Sequence, residues 1–157
     1  MPDVHDPETR SRNMAAIRGR NTKPELALRS ALHRAGFRFR LNRSDMPGKP
    51  DIVLPKYRTV IFVNGCFWHR HNCARFKQPG GENADFWRQK LERNAERDEK
   101  VAKLLSEAGW RRFVVWECAM TGPARIPLSE IVSRISALLQ SDRVGGVIEG
   151  TREKEHF

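Results

Sequence analysis

The stretch that decides the fold runs from Asp51 to Cys73 and reads "DIVLPKYRTVIFVNGCFWHRHNC". It opens with two short apolar runs, "DIVL" and "TVIFV", separated by the turn-forming "PKYR". Such runs predict two adjacent strands near the centre of a sheet, because central strands are apolar on both faces. The loop after the second strand contains two cysteines, two histidines and two large aromatic residues. We therefore expect the functional chemistry to lie where this strand ends.

The segments on either side predict further helices and strands. In "NTKPEL", Thr22 is a typical N-cap and Glu25 follows three residues later, as in a capping box, and Gly36 ends the helix. "FRFRL" alternates apolar and basic residues, which predicts a half-buried strand. Downstream we expect a long helix over residues 83–108, a strand in "WRRFVVWEC" and a last helix in "IPLSEIVSRISALLQ". This order predicts an α/β domain with a mixed central sheet flanked by helices.

The length of 157 residues suits one domain with a full hydrophobic core. We expect residues 1–20 to be a basic N-terminal arm, residues 21–140 to be the folded domain, and residues 141–157 to be a frayed polar tail. No apolar stretch is long enough for a membrane span, and the N-terminus lacks the apolar core of a signal peptide. A cytosolic protein is the resulting expectation, and three cysteines argue against a disulfide framework there.

The charge balance favours a polyanionic partner. The chain has 29 Lys and Arg against 19 Asp and Glu, a formal net charge of +10. Between Thr9 and Arg43 there are ten basic residues and a single acidic residue, Glu25. A solvated basic face is the plain alternative, but clustering this one-sided is typical of nucleic-acid-binding proteins. Counterion release on phosphate contact would then supply much of the affinity.

The long predicted helix has an acidic residue on its apolar face. Apolar positions recur there at steps of three or four residues: Trp87, Leu91, Ala95, Ala102 and Leu105. Asp98 falls on the same stripe. A carboxylate on a buried face is costly unless it is paired, so Asp98 requires a partner from another element.

Four residues are candidate zinc ligands. Cys66, His71 and Cys73 lie within eight residues, and Cys118 ends a later strand, from which a fourth ligand can approach. Together they make a Cys3His set, which is common at closed, structural zinc sites. His69 competes with His71, but the two side chains point in opposite directions in an extended segment. The plain alternative is buried free thiols and ordinary loop histidines.

A second metal site is indicated at the start of the first strand. A "PD" dipeptide before an apolar strand begins the metal site of PD-(D/E)xK nucleases, where the Asp holds Mg²⁺. Here that residue is Asp51, but the second strand ends in Val63, Asn64 and Gly65, without the second carboxylate and the lysine. The carbonyl of Val63 can supply a further oxygen ligand. His69 can replace the lysine, because imidazole is a common proton-transferring group in enzymes.

Several motifs together resemble one family. In order and spacing, the chain from Asp3 to Cys118 is similar to the very-short-patch (Vsr) mismatch repair endonucleases, through "RSRNMAAIRGRNTKPE", "PGKPDIV", "VIFVNGCFWHRHNC", "FWRQKLERNAERD" and "GWRRFVVWEC". The resemblance implies a restriction-endonuclease-like core with a structural zinc. It also implies Mg²⁺-dependent nicking of double-stranded DNA 5′ to the thymine of a T:G mismatch, the product of 5-methylcytosine deamination.

The resemblance also implies roles for individual residues. Asp51 and His69 match the family's catalytic pair, and Glu25 would position metal-bound water. The zinc ligands match Cys66, His71, Cys73 and Cys118. An aromatic wedge that enters the DNA beside the mismatch matches Phe67, Trp68 and Trp87, and the arm with Met14 would approach from the opposite groove. From the sequence alone, Trp87 fits the core equally well, and Phe67 and Trp68 can simply pack beneath the zinc.

Two positions depart from the best-known family pattern, "THGCFWH". This chain has Val63 and Asn64 in place of the threonine and the first histidine. Valine keeps the backbone carbonyl through which the metal contact is expected. The histidine would pair with Asp98; Asn64 can still donate a hydrogen bond there but cannot be protonated. An acid role at position 64 is therefore not expected here.

Two rival functions use the same residues. One is a non-catalytic, zinc-stabilised DNA-binding protein, which the presence of both Asp51 and His69 disfavours. The other is a restriction-type endonuclease that cuts both strands. For the preferred function we expect a monomer in the bacterial cytosol, with mismatch-repair proteins as candidate partners.

Overall fold

A computed structural model describes residues 22–73, 76–77 and 79–151. The predicted arm of residues 1–20, with Met14, lies outside the described residues. The helices are α1 (Lys23–Arg34), α2 (Ala84–Glu107) and α3 (Leu128–Gln140). The strands are β1 (Arg40–Leu41), β2 (Ile52–Leu54), β3 (Thr59–Asn64), β4 (Arg111–Trp116) and β5 (Gly145–Ile148). None of the described helices is both long and apolar enough to cross a membrane.

The strands form one mixed sheet in the order β1-β2-β3-β4-β5. β1, β2 and β3 pair antiparallel, whereas β3, β4 and β5 pair parallel. In the parallel part, Asn64 pairs with Trp116 and Val115 with Ile148. The carboxyl ends of three strands therefore meet at one edge of the sheet. The predicted α/β class and the adjacency of β2 and β3 are confirmed.

The helices cover both faces of the sheet. On one face, Leu28 of α1 and Ile135 of α3 are buried in the main core with Phe113 of β4. On the other face, Leu105 of α2 packs with Val60 of β3 in a smaller core. Burial on both faces explains why β3 is an almost unbroken apolar run.

The start of α1 follows the predicted capping pattern. Thr22 is the N-cap, and its hydroxyl accepts a hydrogen bond from the backbone N–H of Glu25 at 3.4 Å. The helix ends before Gly36, whose φ of +100° lies in the region that favours glycine. The bounds of α2 and α3 likewise agree with the predicted ones to within a few residues.

The strand predicted in "FRFRL" is shorter than expected. Only Arg40 and Leu41 pair with β2, while Phe37 and Phe39 pack against the main core as partly buried side chains. β2 ends at Leu54 because Pro55, which has no N–H to donate, begins a 3-10 turn. In this register residues 37 and 38 would lie opposite residues beyond the end of β2, so they have no strand to pair with.

The expectation that the chain frays from residue 141 onward was wrong for residues 145–148. These residues form β5, which pairs with β4 and buries Ile148. The two glycines weaken the strand pattern in the sequence, but Gly146 allows β5 to pack closely against α3. A Cβ at Gly146 would lie 2.8 Å from Cδ1 of Leu138 on α3, too close for any other residue without repacking.

Candidate active cleft and metal centre

Four candidate ligands meet at the carboxyl edge of the parallel strands. Cys66, His71 and Cys73 follow β3, and Cys118 follows β4. Their ligand atoms all lie within 4.8 Å of one another. Because β3 and β4 run parallel, the residues after each strand emerge side by side, and this brings Cys118 to the loop despite its distance in sequence. The structure thus brings the predicted set together.

The donor set fits zinc. Thiolates and one imidazole are the usual ligands of tetrahedral zinc, with bonds of about 2.3 Å to sulfur and about 2.0 Å to nitrogen. Cys66 and Cys118 are buried, and burial raises the pKa of both thiols. A bound cation would offset this penalty and hold the sulfurs as thiolates. Four protein ligands would leave no open position on a bound zinc, so the set fits a structural site rather than a catalytic one.

His71 is held by contacts on three sides. Its Nδ1 lies 3.6 Å from Sγ of Cys118, facing the cluster, and its Nε2 lies 3.0 Å from Oε2 of Glu149. Its ring stacks on Trp116 with centroids 4.0 Å apart and planes 9° apart. Glu149 was missed in the sequence because it lies in the expected tail, and only the pairing of β5 brings it to this site.

A cleft of about 330 Å³ opens on the α2 side of the sheet. It is lined by residues from the turn before β2, from β3 and its following loop, from α2 and from β4. Those with predicted roles are Asp51, Val63, Trp68, His69 and Asp98, and Asn64 lies among them. The predicted catalytic residues Asp51, His69 and Asp98 are thus neighbours in this cleft. Glu25 is not one of the residues that line it.

Asp51 is mostly buried at the back of the cleft. Its Oδ2 accepts a hydrogen bond from the backbone N–H of Val63 at 2.7 Å. Burial raises the pKa of Asp51 to about 7, although the Val63 hydrogen bond and the charges of Arg29 and His69 oppose the increase. A cation beside Asp51 would restore its charged form. Oxygen ligands of this kind suit Mg²⁺, so the site fits the predicted ion.

Glu25 lies in a buried ion pair behind Asp51. Its side chain is 2 % exposed and pairs with Arg29 one turn later on α1. The negative charge of Glu25 contributes to the raised pKa of Asp51. Two carboxyl groups and one guanidinium group therefore form one buried cluster. The role of Arg29 was missed because, in the sequence, it is one of many basic residues.

His69 and Asp98 form a pair across the cleft. Nδ1 of His69 lies 2.5 Å from Oδ2 of Asp98, so the carboxylate on the apolar stripe of α2 has the partner that it required. The sequence had left open a hydrogen bond from Asn64 to Asp98, and among the described residues the partner is His69. Asn64 is buried in the same cleft, but the loop after β3 brings His69 to the carboxylate instead.

The two histidines of the loop serve different sites, for a reason other than the predicted one. His71 faces the Cys3His cluster and His69 faces the cleft. The prediction assumed an extended segment, but residues 66–70 form turns. Arg70 lies between them with a φ of +49°, so a left-handed residue, rather than strand alternation, separates the two side chains.

The three predicted wedge residues form one aromatic cluster. The rings of Phe67 and Trp68 lie 5.1 Å apart, and Trp87 lies 5.7 Å from each of them. All three are partly exposed, so Trp87 does not belong to the main core. The ammonium group of Lys90 lies 5.6 Å from the Trp68 ring, and the side-chain amide of Asn94 donates to the Trp68 carbonyl at 3.2 Å. These helical neighbours were missed by the sequence analysis.

Comparisons with known proteins agree with this arrangement. The family model described as DNA mismatch endonuclease Vsr matches residues 2–75. A DNA mismatch endonuclease Vsr from Escherichia coli (strain K12) is 44% identical over 86% of this chain and 86% of its own length. A type II nicking enzyme from Xanthomonas oryzae is 48% identical over 77% of this chain and 88% of its own. Another type II nicking enzyme, from Neisseria meningitidis serogroup A, is 42% identical over 86% of this chain and 97% of its own length. The chain therefore belongs to the Vsr family of DNA mismatch endonucleases.

Proposed function

We propose that this protein is a Mg²⁺-dependent DNA endonuclease that nicks one strand 5′ to the thymine of a T:G mismatch. Such mismatches arise from 5-methylcytosine deamination, and the nick would initiate very-short-patch repair. The observation that carries the proposal is that partly buried Asp51 and the His69–Asp98 pair line one cleft beside the aromatic cluster. The bacterial relatives, a mismatch endonuclease and nicking enzymes, support a DNA-nicking activity.

The topology supports a restriction-endonuclease-like core. Asp51 directly precedes β2, which pairs antiparallel with β3, and β3 pairs parallel with β4. In PD-(D/E)xK nucleases the corresponding Asp starts the metal site in the same way. This chain would differ by using His69 from the following loop in place of the lysine of the second strand.

The residues of the cleft divide the chemistry between them. Asp51 and the carbonyl of Val63 would hold Mg²⁺, which when bound stabilises the charge that develops on the phosphate. Asp98 fixes the ring of His69 through Nδ1, which leaves Nε2 to exchange a proton with water or with the leaving oxygen. Glu25, which does not line the cleft but is near enough to Asp51 to raise its pKa, would orient the attacking water.

The aromatic cluster supports recognition of a distorted duplex. Inserting aromatic side chains between base pairs costs roughly a few kcal/mol of unstacking, and least at a mismatch. Phe67, Trp68 and Trp87 would form this wedge, and Lys90 beside them carries a positive charge suited to the phosphate backbone. The arm of residues 1–20, with Met14, would contact the opposite groove.

The proposal also covers the setting of the enzyme. The Cys3His cluster would hold a structural zinc and the cleft a catalytic Mg²⁺. The protein would act as a monomer in the bacterial cytosol, near the nucleoid, with mismatch-repair proteins as candidate partners. Its substrate would be double-stranded DNA with a T:G mismatch.

Cleavage assays on matched substrates test the proposal. Purified protein with Mg²⁺ is incubated with duplexes that differ only in carrying a T:G mismatch, a normal pair or a methylated cytosine. Nicking of one strand confined to the T:G duplex is expected, with Asp51→Ala and His69→Ala binding DNA without nicking it. Binding without cleavage by the unaltered protein would identify a DNA-binding protein, and double-strand cuts in matched DNA would identify a restriction-type nuclease.

A further inference from the structure

The segment after β5 reaches the metal centre from the third parallel strand. Cys66 lies two residues beyond the end of β3, Cys118 two beyond β4 and Gly150 two beyond β5. Because Val115 pairs with Ile148, the residues after β4 and after β5 emerge next to each other. Three parallel strands thus deliver groups to one point, although the cysteines and the histidine come from the segments after β3 and β4 only.

We propose that Glu149 and Gly150 are the outer shell of the zinc centre, with Glu149 positioning the ligand His71. The inference rests on the zinc site proposed above. Oε2 of Glu149 lies 3.0 Å from Nε2 of His71, on the side of the ring away from the cluster. A carboxylate there accepts a hydrogen bond from Nε2–H, so that Nδ1 has the lone pair that faces Cys118. The same contact makes the imidazole a better ligand.

The surroundings of His71 make this contact directional. The His71 side chain is 8 % exposed, whereas that of Glu149 is 34 % exposed, so the carboxylate lies at the rim and the imidazole inside. Stacking on Trp116 fixes the plane of the ring. With the plane fixed, the hydrogen bond to Glu149 selects which nitrogen faces the metal.

Gly150 contributes through its backbone. Its N–H donates to Sγ of Cys118 at 3.3 Å, a contact that favours the thiolate form that a metal needs. A Cβ at this position would lie 2.5 Å from the carbonyl oxygen of Cys118 and 2.8 Å from that of Ala124. Only glycine therefore brings its N–H this close to the sulfur without displacing the backbone.

A carboxylate that positions a metal ligand and a carboxylate in a plain surface ion pair have different effects on metal affinity. A partly exposed pair of opposite charges contributes little to stability, and its loss would leave metal binding unchanged. An outer-shell carboxylate changes metal affinity, because the ligand loses both its orientation and part of its basicity. Loss of such partners typically lowers metal affinity about 10–100-fold.

Zinc competition measures this difference directly. The full chain, loaded with zinc, is titrated with a chromogenic zinc chelator, and the apparent zinc affinity is compared between variants. We expect Glu149→Ala to lower the affinity about 10–100-fold, and Glu149→Gln, which keeps an acceptor but not the charge, to lower it less. Glu130→Ala is the matched control, because Glu130 is a partly exposed glutamate paired with Arg134 away from the centre.

A second measurement separates a metal role from a folding role. Thermal unfolding is recorded for each variant with zinc and after chelation. Glu149→Gln is expected to narrow the gap in melting temperature between the two states, with little effect on the chelated protein. Cobalt in place of zinc is expected to show thiolate and tetrahedral absorption bands, with the tetrahedral bands shifted in Glu149→Gln.

Two outcomes would overturn the proposal. Unchanged zinc affinity and an unchanged cobalt spectrum in both Glu149 variants would leave the contact as a surface ion pair. An unaltered protein that binds no zinc would remove the centre together with its outer shell. Nicking of a T:G duplex by that same protein would still be measurable, so the failure of the zinc centre and the failure of the proposed function remain distinguishable.

Discussion

Nδ1 of His69 lies 2.5 Å from Oδ2 of Asp98, a contact that joins the loop after β3 to the middle of α2. The pair explains why an acidic residue lies on the apolar stripe of a long helix. The family pattern has a histidine at position 64, where this chain has Asn64. In this chain Asp98 pairs with His69. Under the proposed function, His69 would be the proton-transferring group of the cleft and Asp98 its positioning residue.

Removing each member of this pair is expected to have a different effect. His69→Ala should lower kcat for nicking by about 10²–10⁴-fold, the usual contribution of a general acid or base. Asp98→Asn keeps a hydrogen-bonding group and should lower kcat by a smaller factor. It should also change the pH profile of kcat, because the imidazole loses its charged partner. Single-turnover nicking of a T:G duplex across a range of pH measures both effects. The assignment of Asp98 is wrong if its variant reproduces the pH profile of the unaltered enzyme.

Asp51 predicts a pH dependence of stability in the absence of Mg²⁺. Its pKa is raised from 3.8 to about 7 in the folded protein. Between these values the unfolded chain has released the proton that the folded protein retains, so stability falls as the pH rises from about 4 to about 7. The loss amounts to about 4 kcal/mol at most, from about 1.4 kcal/mol per pH unit.

Asp51→Asn isolates this contribution, because the amide keeps an acceptor for the Val63 N–H but does not titrate. Denaturant unfolding at several pH values should show a smaller decline for Asp51→Asn than for the unaltered protein. At pH 8, added Mg²⁺ should stabilise the unaltered protein and leave the variant unchanged. Identical pH slopes for the two proteins would contradict the raised pKa.

The candidate metal centre joins the segment after β4 to the loop after β3 through Cys118. We expect Cys118→Ser to break this connection. Metal analysis of the unaltered protein should find one tightly held zinc per chain, and the variant should lose both the zinc and the folded state. Thermal unfolding with and without chelator measures the loss. Thr121→Ser, three residues further on, is the control and should retain the zinc. A stably folded, metal-free protein would exclude a structural zinc.

The aromatic cluster predicts a loss of mismatch discrimination in Trp87→Ala. Stacking of an aromatic side chain on a base contributes about 1–3 kcal/mol, which corresponds to an approximately 5–150-fold change in affinity. Binding to a T:G duplex should therefore weaken, whereas binding to the matched duplex should change little. Leu104→Ala, a partly exposed apolar position on the same helix, is the control. Equal weakening for both duplexes would assign Trp87 to general DNA binding or to folding.

Local patterns in the sequence were sufficient to predict most of the helices and strands. The N-cap at Thr22 and the apolar stripes of the long helices have short-range physical causes, hydrogen bonds within one turn and burial of one face. The central strands were identifiable for the same reason, since burial on both faces leaves an apolar run. The candidate ligands were also identifiable, because cysteine and histidine are uncommon and their chemistry is specific.

Residues whose role depends on contacts distant in sequence were not predictable in this way. β5 was missed because its glycines, which let Leu138 approach, weaken the strand pattern. Glu149 became a neighbour of His71 only through the pairing of β5 with β4. The spacing of Glu25 and Arg29, four residues apart on one helix, could have predicted their pairing, but not that the pair is buried.

By itself the sequence determined the chemical inventory of this protein: the basic charge, the Cys3His set, the Asp51 and His69 pair, and the helices and strands that carry them. Only the tertiary structure decided which of these groups meet. The carboxyl ends of three parallel strands converge at one edge, so one loop serves the candidate metal centre and the cleft, and His69 rather than the residue at position 64 pairs with Asp98. The physical reason is that chemistry resides in single side chains, whereas proximity arises from strand pairing and packing between distant segments.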